Sequence, residues 1–210
     1  MNGTDDLIGR LSAQAGAEAG RSPGSFTRAF LFSSLLSLAI ALVLSGAGFG
    51  LRDTLPKLFG YEPFLLKIAG ALLLACGAFL LARRAALPGR GEASWLLLLP
   101  GILPFVWHAF VDPSASSARS GDDAVNCTIE IVLLSVPALL LCLRILKSAA
   151  PTRPTLAGAL AGLLAGSIGT AAHALACYND DGVQVAIWYG MGLATATALG
   201  ALIGRKTLRW

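Results

Sequence analysis

Charge is scarce in this chain: 13% of its 210 residues are Asp, Glu, Lys or Arg, whereas 55% are hydrophobic. A soluble domain typically carries about 25% charged residues, so this balance, with a mean hydropathy of +0.70, excludes an ordinary water-soluble fold. Enzymatic signatures are missing as well. There is no phosphate-cradling glycine loop followed by Lys, no nucleophile elbow and no HExxH pair. Catalysis, a cofactor and a small-molecule substrate are therefore not expected. Ionisable residues deep inside the apolar runs, the mark of a transport pathway, are also lacking. Only Lys67 and Glu130 come close, each within a turn of an expected boundary, where snorkelling explains them. The first 25 residues lack the basic region, apolar core and cleavage site of a secretory signal, so they are expected to stay on the chain. The net charge of +4 and pI near 9.1 reflect cationic membrane-facing ends rather than nucleic-acid binding.

What the chain does hold is six long apolar runs, near 29–48, 64–82, 94–111, 127–146, 156–177 and 183–203. Each is long enough to cross a hydrocarbon core of about 30 Å at about 1.5 Å per residue. The expected fold class is all-α, a polytopic bundle of six transmembrane helices spanning 26–210 behind a tail and tether at 1–25. Pro100 and Pro104 should bend the third span and Pro137 the fourth.

Orientation follows from counting. With a cytoplasmic amino terminus, the inner segments hold twelve of the sixteen Lys and Arg residues: Arg10, Arg21, Arg28, Arg83, Arg84, Arg90, Arg144, Lys147, Arg153, Arg205, Lys206 and Arg209. The outer segments hold Arg52, Lys57, Lys67 and Arg119. Because short cytoplasmic loops accumulate Lys and Arg, both termini are expected inside, in a bacterial inner membrane. Trp95, Trp107, Trp188, Tyr189 and Trp210 are expected interface anchors.

In the tail, Thr4 can cap a short helix whose first turn carries Asp5 and Asp6. Leu7, Ile8, Leu11 and Ala15 then share one face. So short a helix is marginal alone in water and gains order against a partner, and 16–25 (GAEAGRSPGS) reads as a flexible tether. In the fifth span Gly158, Gly162 and Gly166 form a bare stripe for close approach of another helix. Gly192, Gly200 and Gly204 give the sixth a looser one, and the short connection makes the two an antiparallel hairpin.

The cysteines separate by depth. Cys76 and Cys142 lie within spans and read as small buried hydrophobes. Cys127 opens the fourth span and Cys177 ends the fifth, both at the outer face, where an oxidising compartment allows a disulfide. His108 and His173 fall near the same level, His173 one turn before Cys177. Three readings stay open for this set: a disulfide or thiol pair, a soft-metal site, or residues without a special role, with His108 and His173 auxiliary.

Several stretches together resemble the NrsF family of negative regulators of sigma factors. They are Thr4-Asp5-Asp6-Leu7-Ile8, Cys127, Pro151-Thr152-Arg153-Pro154 before a Gly/Ala-rich span, Ala172-His173-Ala174 with Cys177, Trp188-Tyr189-Gly190, and the Gly204-Arg205 and Arg209-Trp210 ending. The acidic, Ser-rich segment 112–126 departs from that pattern. The resemblance implies a six-span membrane-bound anti-sigma factor. Its cytoplasmic tail, including Thr4, Asp5, Asp6, Leu7, Ile8 and Leu11, would hold a sigma factor of the extracytoplasmic-function type until an envelope signal releases it; the outward cysteines of the residue reading make a redox or metal change at Cys127 and Cys177 the expected signal. A small transporter or metal-handling protein using His108, Cys127, His173 and Cys177, or a structural membrane subunit, are the rival expectations.

Overall fold

The computed structural model describes residues 2–17, 23–48, 50, 60–87, 94–111, 121–149, 151–178 and 180–208. Arg21, Arg52, Lys57, Arg90, Arg119, Arg209 and Trp210, and much of the 16–25 tether, lie outside them. Seven α-helices make up the described residues: α1 (Asn2–Ala17), α2 (Pro23–Gly48), α3 (Glu62–Ala86), α4 (Leu99–Val111), α5 (Gly121–Lys147), α6 (Pro154–Ala174) and α7 (Gly182–Thr207). A 3-10 turn, Trp95–Leu98, leads into α4.

Five helices, α2, α3, α5, α6 and α7, are long and apolar enough to cross a membrane. The expected third span is the short one, since α4 has only 13 residues. The tighter 3-10 turn rises about 2.0 Å per residue, so turn and helix together still reach about 28 Å. The pitch changes between Leu98 and Leu99, just before Pro100, which has no N–H to donate, and Pro104 is carried inside α4.

The helix starts differ from the sequence reading. Helix α1 begins at Asn2, so Thr4 lies in its first turn and does not precede it as a cap. Helix α2 begins at Pro23 instead of residue 29, because a proline at a helix start forgoes an N–H that is unpaired there anyway. The same logic places a proline in the first turn of α3 and of α6. Helix α5 begins at Gly121, which puts Cys127 in the second turn rather than at the opening.

Helix α6 is the axis of the bundle. Its apolar stretch is 78% buried, against 22–44% for the other four long helices, and it packs on α2, α3, α5 and α7. Small side chains make this position tenable. A Cβ on Gly162 would collide with the Ala196 carbonyl, and one on Gly204 would sit 2.6 Å from Gly158 Cα, so α6 and α7 pack backbone to backbone. A Cβ on Gly169 would sit 2.6 Å from the Ile131 carbonyl, which marks an equally close approach of α6 and α5.

At one end of the bundle the starts of α2 and α6 meet the ends of α3, α5 and α7 in one apolar cluster that includes Phe26, Phe30, Ala86, Leu146, Ala157 and Leu208. Phe26, Phe30 and Phe79 stack in series, with ring centroids 5.8 and 5.0 Å apart. Trp95 and Trp107 are exposed, as interface anchors would be, but Tyr189 is 1% exposed and points inward. Cys142 is buried as expected, whereas Cys76 lies on the outer surface of α3.

Candidate functional site

The opposite end of the bundle is polar inside. Helix α6 stops at Ala174 rather than at Cys177, and its last turn tightens. Leu175 N–H donates to the Ala172 carbonyl at 3.3 Å, and the N–H groups of Ala176 and Cys177 both donate to the His173 carbonyl at 3.0 and 2.9 Å. These bonds satisfy carbonyls that a helix end otherwise leaves open, and they turn Cys177 back over the helix. The chain then enters α7, where the Asp181 carboxylate accepts the Gln184 N–H at 3.0 Å as the cap.

This loop brings three of the sequence-derived candidates together. The ligand atoms of Cys127, His173 and Cys177 all lie within 4.8 Å of one another. Cys127 comes from α5, set close by the Gly169 contact, and is half-buried, while His173 and Cys177 are buried. All four cysteines are thiols, with no disulfide between them. His108, the fourth candidate, is buried but plays a different part: its Nε2–H donates to the Asp180 carbonyl at 3.0 Å. It ties the loop to α4, and a Cβ at Gly182 would collide with its backbone carbonyl.

Three neighbours were not marked as site residues from sequence. Lys67, expected to snorkel, is fully buried on α3 and its ammonium pairs with the Asp180 carboxylate at 2.5 Å. Snorkelling fails because the helix turns Lys67 toward the bundle, where an acidic side chain from the loop meets it. Glu130, one turn after Cys127, places Oε2 3.1 Å from His173 Nδ1. That contact has the distance of an ion pair, and the imidazole also hydrogen-bonds the Cys177 thiol. The buried Tyr189 hydroxyl hydrogen-bonds the Cys177 sulfur. Its ring meets His173 edge-on at 5.7 Å and Phe105 at 6.3 Å. Opposite charges at matching depth were the available signal for Lys67 and Asp180; nothing in the spacing pointed to Tyr189.

The electrostatics favour thiolate. The adjoining Cys127 S–H, which hydrogen-bonds Cys177, holds the Cys177 thiol well below its usual range, with His173 and the Lys67 ammonium adding to the effect against burial. Two thiols and an imidazole form a soft donor set suited to Zn or Cu(I). A three-coordinate ion about 2.2 Å from each ligand holds the ligands about 3.8 Å apart, so binding requires the cluster to contract modestly. A disulfide requires the sulfurs to close to about 2.05 Å. Both chemistries pull the Cys177 loop toward α5.

The tail candidates lie elsewhere. Thr4, Asp5, Asp6, Leu7 and Ile8 are exposed on α1, Leu7 by 55% and Ile8 by 58%. Leu11 continues the same helix, its side chain outside the described residues. Arg10 and Asp6 form an exposed pair at 4.0 Å, one turn apart, which contributes little.

A family model described as negative regulator of sigma F, NrsF, matches residues 15–210. The probable anti-sigma-F factor NrsF of Azospira oryzae is 34% identical over 220 residues, covering 99% of each chain. The anti-sigma-F factor NrsF of Caulobacter vibrioides is 30% identical over 218 residues, again covering 99% of each chain. No solved structure matches the chain.

Proposed function

The chain belongs to the NrsF family of negative regulators of sigma F, and from that premise we propose that it is a membrane-bound anti-sigma factor with its sensor and its output at opposite ends of one helical bundle. Family membership makes it a regulatory protein rather than an enzyme. The output is the tail at 1–25, whose helix α1 offers Leu7 and Ile8 as an unpacked apolar patch beside Asp5 and Asp6, suited to docking on a partner protein. The partner is a sigma factor of the extracytoplasmic-function type, held at the bacterial inner membrane by six spans with both termini in the cytoplasm. The twelve-to-four division of Lys and Arg supports that topology, and so does the gathering of the α2 start and the α7 end in one apolar cluster.

The sensor is the Cys127, His173 and Cys177 cluster, and its convergence from two helices and a loop is the observation that carries this reading. Two envelope signals fit it. A disulfide-bearing oxidant accepts two electrons: the Cys177 thiolate attacks one sulfur, the other leaves as a thiol, and Cys127 resolves the mixed disulfide with release of the second thiol. A soft metal ion instead displaces the thiol protons and binds both sulfurs and His173. For either to be a signal, the contracted and relaxed bundles must differ in affinity for the sigma factor, and a tenfold difference corresponds to about 1.4 kcal/mol.

Removal of residues 1–25 tests the division of labour. The truncated protein is expected to keep its bundle and its thiol chemistry while losing the sigma factor that co-purifies with the full chain. Retention of that partner by the truncated protein would contradict the assignment of the tail.

A further inference from the structure

Helix α2 carries the tail, and a hydrogen bond from Ser45 joins it to the sensor end of the bundle. Along α2 the residues turned into the bundle are Phe26, Phe30, Ser33, Ser37, Ala41 and Ser45, each 5% exposed or less. The aromatic pair anchors the inner end on α3 through the Phe79 stack. Beyond it the inward face is small and smooth, and an apolar groove lined by Leu31, Leu35, Leu38, Leu72 and Ala75 separates α2 from α3. Ser37 satisfies its own helix, donating to the Ser33 carbonyl at 2.7 Å.

Ser45 does not. Its hydroxyl crosses to α6 and donates to the Ala172 carbonyl at 2.9 Å. That carbonyl belongs to the last turn of α6, directly before His173, and it also accepts the Leu175 N–H. Ser45 thus acts as a cap supplied to α6 by another helix. The next carbonyl, that of His173, holds the N–H of Cys177. Any contraction that draws Cys177 toward Cys127 pulls on this turn and changes how Ala172 presents its oxygen to Ser45.

We propose that Ser45 is the positioning residue through which α2, and with it the tail, reads the state of the Cys127, His173 and Cys177 cluster. This rests on the proposed sensor role of that cluster. With α2 pivoting on its inner aromatic stack, a change in one outer hydrogen bond moves a helix of 26 residues, about 39 Å long.

The test uses the full chain in lipid nanodiscs, with diamide as the oxidant. Diamide takes two electrons and two protons from the paired thiols and becomes the hydrazine, leaving the Cys127–Cys177 disulfide. Amide hydrogen exchange along α2 is compared before and after oxidation in the wild type, Ser45→Ala and Ser45→Thr. In the wild type, oxidation should change exchange in the outer half of α2 by about fivefold, the weight of one hydrogen bond. Ser45→Ala should form the disulfide to the same extent while losing most of that change, and Ser45→Thr, which keeps the hydroxyl, should restore it. An equal oxidation-driven change in Ser45→Ala and wild type, or none in a wild type that has formed the disulfide, overturns the role of Ser45 alone. Failure of the wild type to form the disulfide overturns the redox reading beneath it, and Ser45 with it.

Discussion

The two ends of this bundle are built on opposite principles. The end where α2 begins is a continuous apolar cluster in which aromatic rings stack and small residues close against larger ones. The end bearing Cys177 adds a separate small cluster of Ile131, Ala174, Val185 and Tyr189, surrounded by a buried ion pair, two histidines and two thiols. Packing alone would not produce such an end, because a buried ion pair is no more stabilising than well-packed apolar side chains of similar volume. Local rules are most often broken where a protein acts. On the proposed function, the end where α2 begins is the fixed frame and the end bearing Cys177 is the part that changes.

The largest expected effect that sharpens this contrast is at Lys67. Lys67→Met removes the ammonium that the Asp180 carboxylate pairs with, at a cost of about 3 kcal/mol. Amide exchange should rise in the loop between α6 and α7 and stay unchanged at the Phe26, Phe30 and Phe79 stack. The double variant Lys67→Met/Asp180→Leu should recover much of the loss, and a loss spread evenly over both ends would break the contrast.

Phe30→Ala probes the frame. Its cost should be about 2 kcal/mol, below that of an aqueous core, because lipid tails are as apolar as the lost contacts and only packing is forfeited. Thermal unfolding in nanodiscs reads the loss, and thiol labelling of Cys127 and Cys177 should be unaltered. The smallest effect belongs to Tyr189→Phe. Removing a buried hydroxyl that bonds the weak sulfur acceptor of Cys177 should lower stability by less than about 1 kcal/mol, read as a small fall in melting temperature. A larger drop would mean that the hydroxyl holds the Cys177 loop in place as strongly as the Lys67 pair does.

Much of the fold is legible in the sequence because a bilayer imposes length. Five of the six apolar runs form helices long enough to span, and the sixth departs where Pro100 and Pro104 disturb the helix. The hairpin of α6 and α7 is legible from Gly158 and Gly162, since a bare stripe at every fourth residue has few uses besides close approach. Helix starts are less legible: Pro23 was absorbed into a tether rich in small polar residues, although a proline opens a helix readily.

At the site, depth brings Cys127, His173 and Cys177 to one level, and geometry then brings them within 4.8 Å. Rotation about each helix is what depth cannot supply. Lys67 at a boundary can point outward to water or inward to a partner, and only the packing of α3 on α6 decides that it faces Asp180. Tyr189 shows the same gap, since an aromatic residue near an interface fits an anchor equally well until α7 turns it against His173.

The most direct measurement of the link between these two ends is the affinity of the full-length protein for its co-purified sigma factor, in nanodiscs, with Cys127 and Cys177 reduced and then joined as a disulfide. The expected result is binding at least about tenfold weaker in one state than in the other, reversed by reductant and absent in Cys127→Ser. Equal affinity in the two states, with the disulfide verified, would contradict a redox sensor that acts across the bundle.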